Sequence, residues 1–230
     1  MKRCAILLLF SILIICSFSV AFADDVESYE AYLVIYDNSI KEYEEVYTIA
    51  NIPKNGVLYV KSELENGMAG ASYYWDDSEI ITSGNIENGM LEVEIPEEFE
   101  IGSKHELSIF AYNDENCQGD NTYYITIVDE MNEFISIGIK EPYMEYPRDF
   151  SSVFAKYNEK VYVVASSFND KLNIEYSWWD EPVCVYEGKE LFFIMNCCSA
   201  ADNEEHYLQV RAITDNAQTD LETSVVYIYE

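Results

Sequence analysis

The sequence predicts an all-β chain folded as two small antiparallel sandwiches in tandem, and three observations lead there. Short runs alternating between apolar and polar residues, bounded by Asn, Gly, Asp and Pro, recur from about residue 32 to the end, and helical periodicity is nearly missing. The aromatic stretch Ser72-Tyr73-Tyr74-Trp75-Asp76-Asp77 returns about a hundred residues later as Tyr176-Ser177-Trp178-Trp179-Asp180-Glu181. Each copy is followed by a second matched stretch that opens on one of the chain's only two histidines, His105 and His206. A repeat of this length means two copies of one small domain, each with its own core.

In chain order, residues 1–23 read as a cleaved secretory signal peptide. Lys2 and Arg3 precede an apolar run from Ala5 to Val20, and Ala21-Phe22-Ala23 fits an A-x-A cleavage site. The alternative is an uncleaved anchor, which the small-residue site disfavours. Cys16 follows Ile15, too large for a lipobox, and no later stretch approaches the ~20 apolar residues of a membrane span. In the first copy strands are predicted at 32–36, 46–50, 57–63, 71–75, 90–95, 105–112 and 122–128. In the second they fall at 134–139, 152–155, 161–167, 174–179, 183–186, 191–195, 206–213 and 224–229. Turn signals separate them, among them Asn66-Gly67, Ser83-Gly84-Asn85 and Glu187-Gly188. About seven strands per ~100 residues is the signature of an immunoglobulin-like sandwich.

Aligning Tyr32 with Phe134, Val60 with Val163, Trp75 with Trp179, Leu107 with Leu208 and Ala111 with Ala212 keeps the offset between 101 and 104. Domain one is therefore expected over 24–130 and domain two over 131–230, with the short acidic junction Asp129-Glu130-Met131-Asn132-Glu133 between them. Repulsion between two acidic halves favours an extended pair.

The chain carries 13 basic and 43 acidic residues, a net charge of −30, and losing Lys2 and Arg3 with the signal takes it to about −32. That argues against nucleic acid and against anionic membrane surfaces as partners. At 49% hydrophobic and 15% aromatic the chain nonetheless has ample material for cores and is not disordered.

Few residues point to chemistry. Trp75 and Trp179 are expected in the two cores, with Tyr74 and Trp178 on the opposite strand face. His105 and His206 sit at equivalent positions, a pattern that fits shared packing better than one catalytic pair. Phosphate-loop, G-x-S-x-G, H-E-x-x-H and C-x-x-C motifs are missing, as are N-x-S/T sequons. Loop carboxylates at Asp76-Asp77, Asp114-Glu115 with Asp120, and Asp202 with Glu204-Glu205 leave Ca²⁺ open as a ligand without an EF-hand pattern; no other cofactor is expected. Cys4 and Cys16 leave with the signal. Cys184 can close a short loop with Cys197 or Cys198, which leaves Cys117 and one other thiol for chaining between molecules or for no bridge at all.

The Tyr-x-Trp-Asp stretch and the Leu-x-Val/Ile-x-Ala strand resemble Ig-like and PKD-like modules of prokaryotic surface proteins. The tandem arrangement behind a signal, rich in Asn, Glu, Tyr and Ile, resembles adhesin-like surface proteins of methanogenic archaea. The sequence departs from PKD repeats at Asp76-Asp77-Ser78, which lacks a Gly-Asp-Gly continuation, and from antibody-type domains in having no paired cysteines on the B and F strands. The resemblance implies a secreted or cell-surface, non-catalytic binding or adhesion module for an extracellular protein or surface polymer, with homo-oligomers open. The first alternative is a structural spacer or assembly subunit, and the weaker one a carbohydrate-binding module. A contiguous exposed aromatic patch favours recognition, while polar faces and sticky ends favour assembly.

Overall fold

A computed structural model describes residues 31–62, 70–76, 78, 82–85, 90–112, 117–140, 152–178, 181–195 and 206–229. Residues 1–23, read from the sequence as a signal peptide, lie outside the described residues. In the first half the strands are β1 (Ala31–Asp37), β2 (Glu42–Val46), β3 (Ile49–Pro53), β4 (Val57–Ser62), β5 (Gly70–Trp75), β6 (Thr82–Asn85), β7 (Met90–Val93), β8 (Lys104–Tyr112) and β9 (Cys117–Val128). The second half adds β10 (Ile135–Lys140), β11 (Ser152–Lys156), β12 (Lys160–Ser166), β13 (Asn173–Trp178), β14 (Cys184–Glu187), β15 (Glu190–Ile194), β16 (His206–Ile213) and β17 (Glu222–Tyr229). Among the described residues no helix is long and apolar enough to cross a membrane.

These strands form two tandem Ig-like sandwiches. The sheet β2-β1-β4-β7 faces β3-β9-β8-β5-β6, and β15-β12-β10 faces β11-β17-β16-β13-β14. Each core draws on both of its sheets. Leu33, Ile35, Leu58 and Val60 meet Trp75, Leu107, Ile109 and Ile125 in the first. Ile137, Ile139, Val161 and Val163 meet Ile174, Leu208, Val210 and Val226 in the second. Alternation along the strands puts these apolar residues on one face, and the sandwich buries the two faces together. Tyr123 also ties the first pair of sheets by a polar contact, since its buried hydroxyl accepts the Leu33 N–H at 3.1 Å.

Three readings of the sequence change in the structure. The strand expected at 46–50 is two strands, because the chain turns at Tyr47 and Thr48 from β2 into β3. All five residues of β3 are buried, so the alternation that marks a half-exposed strand is absent there. Ser83-Gly84-Asn85, read as a break, belongs to the short edge strand β6, where the hydroxyls of Ser72 and Ser83 meet at 2.8 Å. The copies also align differently: Trp75 lies opposite Leu107, and Trp178, rather than Trp179, lies opposite Leu208. The conserved spacing between copies is thus Tyr73-x-Trp75 and Tyr176-x-Trp178. Trp178 turns inward against the second core, which corrects its expected outward position.

The halves are joined through a sheet as well as through the chain. After β9 the backbone makes a 3-10 turn over Met131–Glu133, where the Glu133 carboxylate accepts the N–H groups of Asp129 (3.1 Å) and Glu130 (2.9 Å). It then enters β10, which pairs antiparallel with β3 through Ile135 with Asn51, Ser136 with Ala50, and Ile137 with Ile49. The result is one eight-stranded sheet, β15-β12-β10-β3-β9-β8-β5-β6. Side chains cross over as well. Phe134, fully buried, belongs to the first core, and Ile49 belongs to the second. Ser136 Oγ accepts the Tyr47 N–H at 3.2 Å, Ser166 donates to Glu44 at 2.6 Å, and Lys189 meets Glu44 at 2.8 Å. On the other side Asn51 donates to the Gln218 carbonyl at 3.0 Å, and Lys104 pairs with Asp220 at 2.5 Å.

Two predictions follow from this junction. Phe134→Ala empties a site in the first core and should cost about 3 kcal/mol or more, read from the urea midpoint by tryptophan fluorescence. The second concerns Glu222, whose carboxyl is pushed above the ordinary 4.5 first by burial and then by the neighbouring Asp220. The folded state therefore holds this proton more tightly than the unfolded chain. Stability falls as pH rises from 4.5 through the raised value, and the penalty is complete above it. Glu222→Gln should stabilise the chain at pH 7, by less than about 1 kcal/mol because the group is partly exposed. Melting curves should show that gain vanish below pH 4.5.

Candidate functional site

The first histidine lies at the end of the first sandwich, in a hydrogen-bonded chain. Asp76 follows β5 with φ of 49°, a left-handed conformation that an Asp tolerates better than most residues. Its Oδ1 accepts the Glu106 N–H at 2.7 Å, and its Oδ2 lies 2.5 Å from His105 Nδ1. His105 Nε2 is 2.6 Å from Ser103 Oγ. The connectivity Asp–His–Ser resembles that of an activated serine, but the hydroxyl is committed elsewhere. Ser103 Oγ donates to the Glu100 carbonyl at 2.6 Å, and its N–H bonds the same carbonyl at 3.0 Å. A carbonyl can only accept, so it takes the single hydroxyl hydrogen that a serine nucleophile would hand to the ring. The chain of contacts closes a turn.

The ring itself is packed. His105 stacks on Phe99 with centroids 3.4 Å apart and meets Trp75 edge-on at 6.5 Å. His206, buried, stacks on Trp178 at 5.8 Å. Both histidines therefore pack on the tryptophan of the neighbouring strand. Trp75 is buried in the first core and donates from Nε1 to the Glu94 carbonyl at 3.0 Å. Trp179 lies outside the described residues.

Two open grooves flank Asp76. One, of about 480 Å³, is lined by Tyr74, Trp75, Glu94, Glu97 and Phe99. The other, of about 460 Å³, runs between the halves past Ile49, Lys104, Tyr124, Asp220 and Glu222. Among the described residues no group of three or more His, Cys, Asp or Glu side chains is placed to hold a metal ion. Of the carboxylates singled out for Ca²⁺, Asp76 is occupied by His105 and Glu106. Asp77, Asp114, Glu115, Asp202, Glu204 and Glu205 lie outside the described residues, and Asp120 pairs through its backbone with Phe110 in β8.

Cys184 is an exposed free thiol at the start of the edge strand β14, with Sγ 3.6 Å from the Pro182 carbonyl. Burial, then Cys184, raises the Tyr176 hydroxyl above its ordinary value. Cys197 and Cys198 lie outside the described residues, and Cys117 opens β9 opposite Tyr112.

The outer face of the five-stranded sheet carries rings that the sequence reading did not single out. Val153 and Ala155 point inward, so Phe154 between them faces out and is 48% exposed. Its cross-strand partner Tyr227 is 36% exposed, and the rings stack at 5.1 Å and 17°. Tyr207, 42% exposed, lies on the same face opposite Val225. Further along, Ser177 donates to Gln209 (3.2 Å), Gln209 donates to Thr223 (3.2 Å), and Arg211 pairs with Glu175 at 2.7 Å. An aromatic end thus adjoins a polar, hydrogen-bonded end. The alternation of Phe154, Tyr207 and Tyr227 with core residues was the available signal.

No protein-family model matches the sequence, and no curated protein matches it. Solved structures with some likeness include the Ig1–2 module of the Drosophila receptor tyrosine phosphatase DLAR, at 10% identity and TM-score 0.29, covering 89% of this chain and 100% of that one. The FN1–FN3 domains of chicken CNTN1 give 9% identity and TM-score 0.28, over 79% of this chain and 64% of that one. A 1.5-MDa bacterial ice-binding adhesin gives 11% and 0.28, over 79% and 63%. This chain thus spans less than two thirds of the latter two. Likeness at these TM-scores carries no weight, and the sandwich assignment rests on the strand order and the two cores.

Proposed function

We propose that the chain is a secreted or cell-surface, non-catalytic binding or adhesion module. In this reading two modules, 24–130 and 131–230, follow a cleaved signal at 1–23, and they need no cofactor. The partner is an extracellular protein or a surface polymer. The observation that carries the reading is the exposed aromatic group Phe154, Tyr207 and Tyr227 beside the polar ladder of Gln209, Thr223 and Arg211. Rings half in solvent give large contact area at small entropic cost and stack on apolar or sugar surfaces. The test is surface plasmon resonance of the mature chain against a panel of immobilised extracellular proteins and surface polysaccharides. Replacing all three rings by alanine should leave the melting temperature nearly unchanged and weaken any hit by tenfold or more. Hits confined to polysaccharides would select the carbohydrate-binding reading. A partner held equally by the alanine variant would remove the face from consideration.

The second reading is a spacer or assembly subunit, and the shared eight-stranded sheet favours it because it fixes one half against the other. Here the cysteines separate the cases. Oxidation should join Cys184 to Cys197 or Cys198 within the chain, stabilising it by about 3 kcal/mol. The expected product on non-reducing electrophoresis is then a monomer, and peptide mapping identifies the bridge. A ladder that collapses with reductant would instead put covalent assembly first.

A further inference from the structure

The four-stranded sheet β2-β1-β4-β7 carries a separate set of rings on the first half of the chain. Leu33 and Ile35 of β1, Val46 of β2, Leu58 and Val60 of β4 and Val93 of β7 enter the core, so the residues between them face outward. Tyr36 lies directly opposite Tyr43, with ring centroids 4.6 Å apart and planes at 36°. Tyr59 meets Tyr43 at 6.2 Å and 64°. Tyr43 is 47% exposed, and the exposed Glu92 lies opposite Tyr59. The three connections at this end of the sheet, 38–41, 54–56 and 94–103, all fall within the described residues. Two further observations give the face a charge preference. At its other end Lys61 holds its ammonium over the Tyr32 ring at 5.4 Å, so a cation on a tyrosine is a contact this face already makes within the chain. Carboxylates also flank the rings, Glu92 beside Tyr59 and Glu45 opposite Val34. Burial first, then Glu92, Tyr43 and Tyr36, raises the Tyr59 hydroxyl above its ordinary value, which fits a cluster of phenol and carboxylate oxygens.

We infer that Tyr36, Tyr43 and Tyr59, with Glu92, form a docking site for the arginine or lysine side chains of a basic segment on a partner protein. The face of an aromatic ring is negative and attracts a guanidinium or an ammonium, and a carboxylate beside it deepens the attraction. Arginine suits the site better than lysine, because its flat guanidinium stacks on a ring and keeps its N–H donors for an acid at the rim. Charge selects the same partner at long range. A net charge of −30 draws in a basic segment and opposes a second copy of the chain. An anionic polymer would meet Glu45 and Glu92 at the rings themselves. The proposal goes beyond the binding-module reading in naming a second face and its ligand, and it stands without Phe154, Tyr207 and Tyr227.

The probes are hexa-arginine and hexa-lysine peptides, titrated by calorimetry against the mature chain at about 0.15 M salt, where diffuse attraction between distant charges is screened. Saturable binding is expected, tighter for hexa-arginine. Combining Tyr36→Leu, Tyr43→Leu and Tyr59→Leu keeps the net charge and the apolar bulk but removes the rings, and should weaken hexa-arginine by about fivefold or more; phenylalanine at the same three positions should restore it. Glu92→Gln, at an exposed position, should weaken it about twofold with the melting temperature unchanged. Tyrosine ring resonances of the unmodified chain give a readout that needs no variant, and those of Tyr36, Tyr43 and Tyr59 should shift on titration. Absence of saturable binding, equal binding by a folded leucine variant, or shifts confined to other tyrosines would overturn the assignment. Maltohexaose that binds through these rings while hexa-arginine ignores them would overturn the choice of a basic partner. The alanine variant of Phe154, Tyr207 and Tyr227 should hold hexa-arginine as the unmodified chain does, so failure of this site and failure of the other face are read separately.

Discussion

The buried backbone of β3 is the constraint on which the molecule turns. A strand buried on both faces cannot leave edge amides and carbonyls without partners, because water cannot reach them. All five residues of β3 are buried. One side is satisfied by β9 and the other by β10, so the second sandwich contributes a strand that the first cannot do without. The exchange of Phe134 and Ile49 between cores follows from that pairing, because a strand laid beside β3 carries its neighbouring side chains across the boundary. Two sandwiches that look separable by repeat are thereby coupled through backbone and core.

Charge would be expected to drive the halves apart, yet it does not decide their arrangement. Screening limits repulsion between distant surface carboxylates to about 8 Å at physiological salt. At the boundary the chain places two of its few lysines opposite acids, Lys189 at Glu44 and Lys104 at Asp220. These exposed pairs contribute little each. Their effect is to set a positive charge against an acid on each side of the boundary while the shared sheet and crossed core residues hold it.

The aromatic residues divide into two populations with different physical work. Trp75 and Trp178 sit inward with a histidine against each, and the hydrogen-bonded chain through Asp76 and Ser103 orders the end of the first sandwich. Phe154, Tyr207 and Tyr227 sit outward on one face. In the inward set the polar atoms of the Ser–His–Asp connectivity are taken up by a turn and a strand end. The outward set presents its rings to solvent on one face of the sheet.

What the sequence determined alone is the architecture at the level of strands and repeats. Period-two alternation, turn residues and the duplicated Tyr-x-Trp stretch require two β-sandwiches, because a strand's side chains alternate faces regardless of its neighbours. Trp75 as core was legible for the same reason. The inward face of Trp178 was harder to read, because two adjacent tryptophans fit either phase and only pairing with Leu208 fixes it. The strand β3 was hidden by burial on both faces, which erases alternation. The union of the halves through β3 and β10 and the outward grouping of Phe154, Tyr207 and Tyr227 were decided by tertiary structure alone. Each depends on which strands become neighbours, and strand pairing is a long-range contact whose partner is not written in the local pattern of either strand.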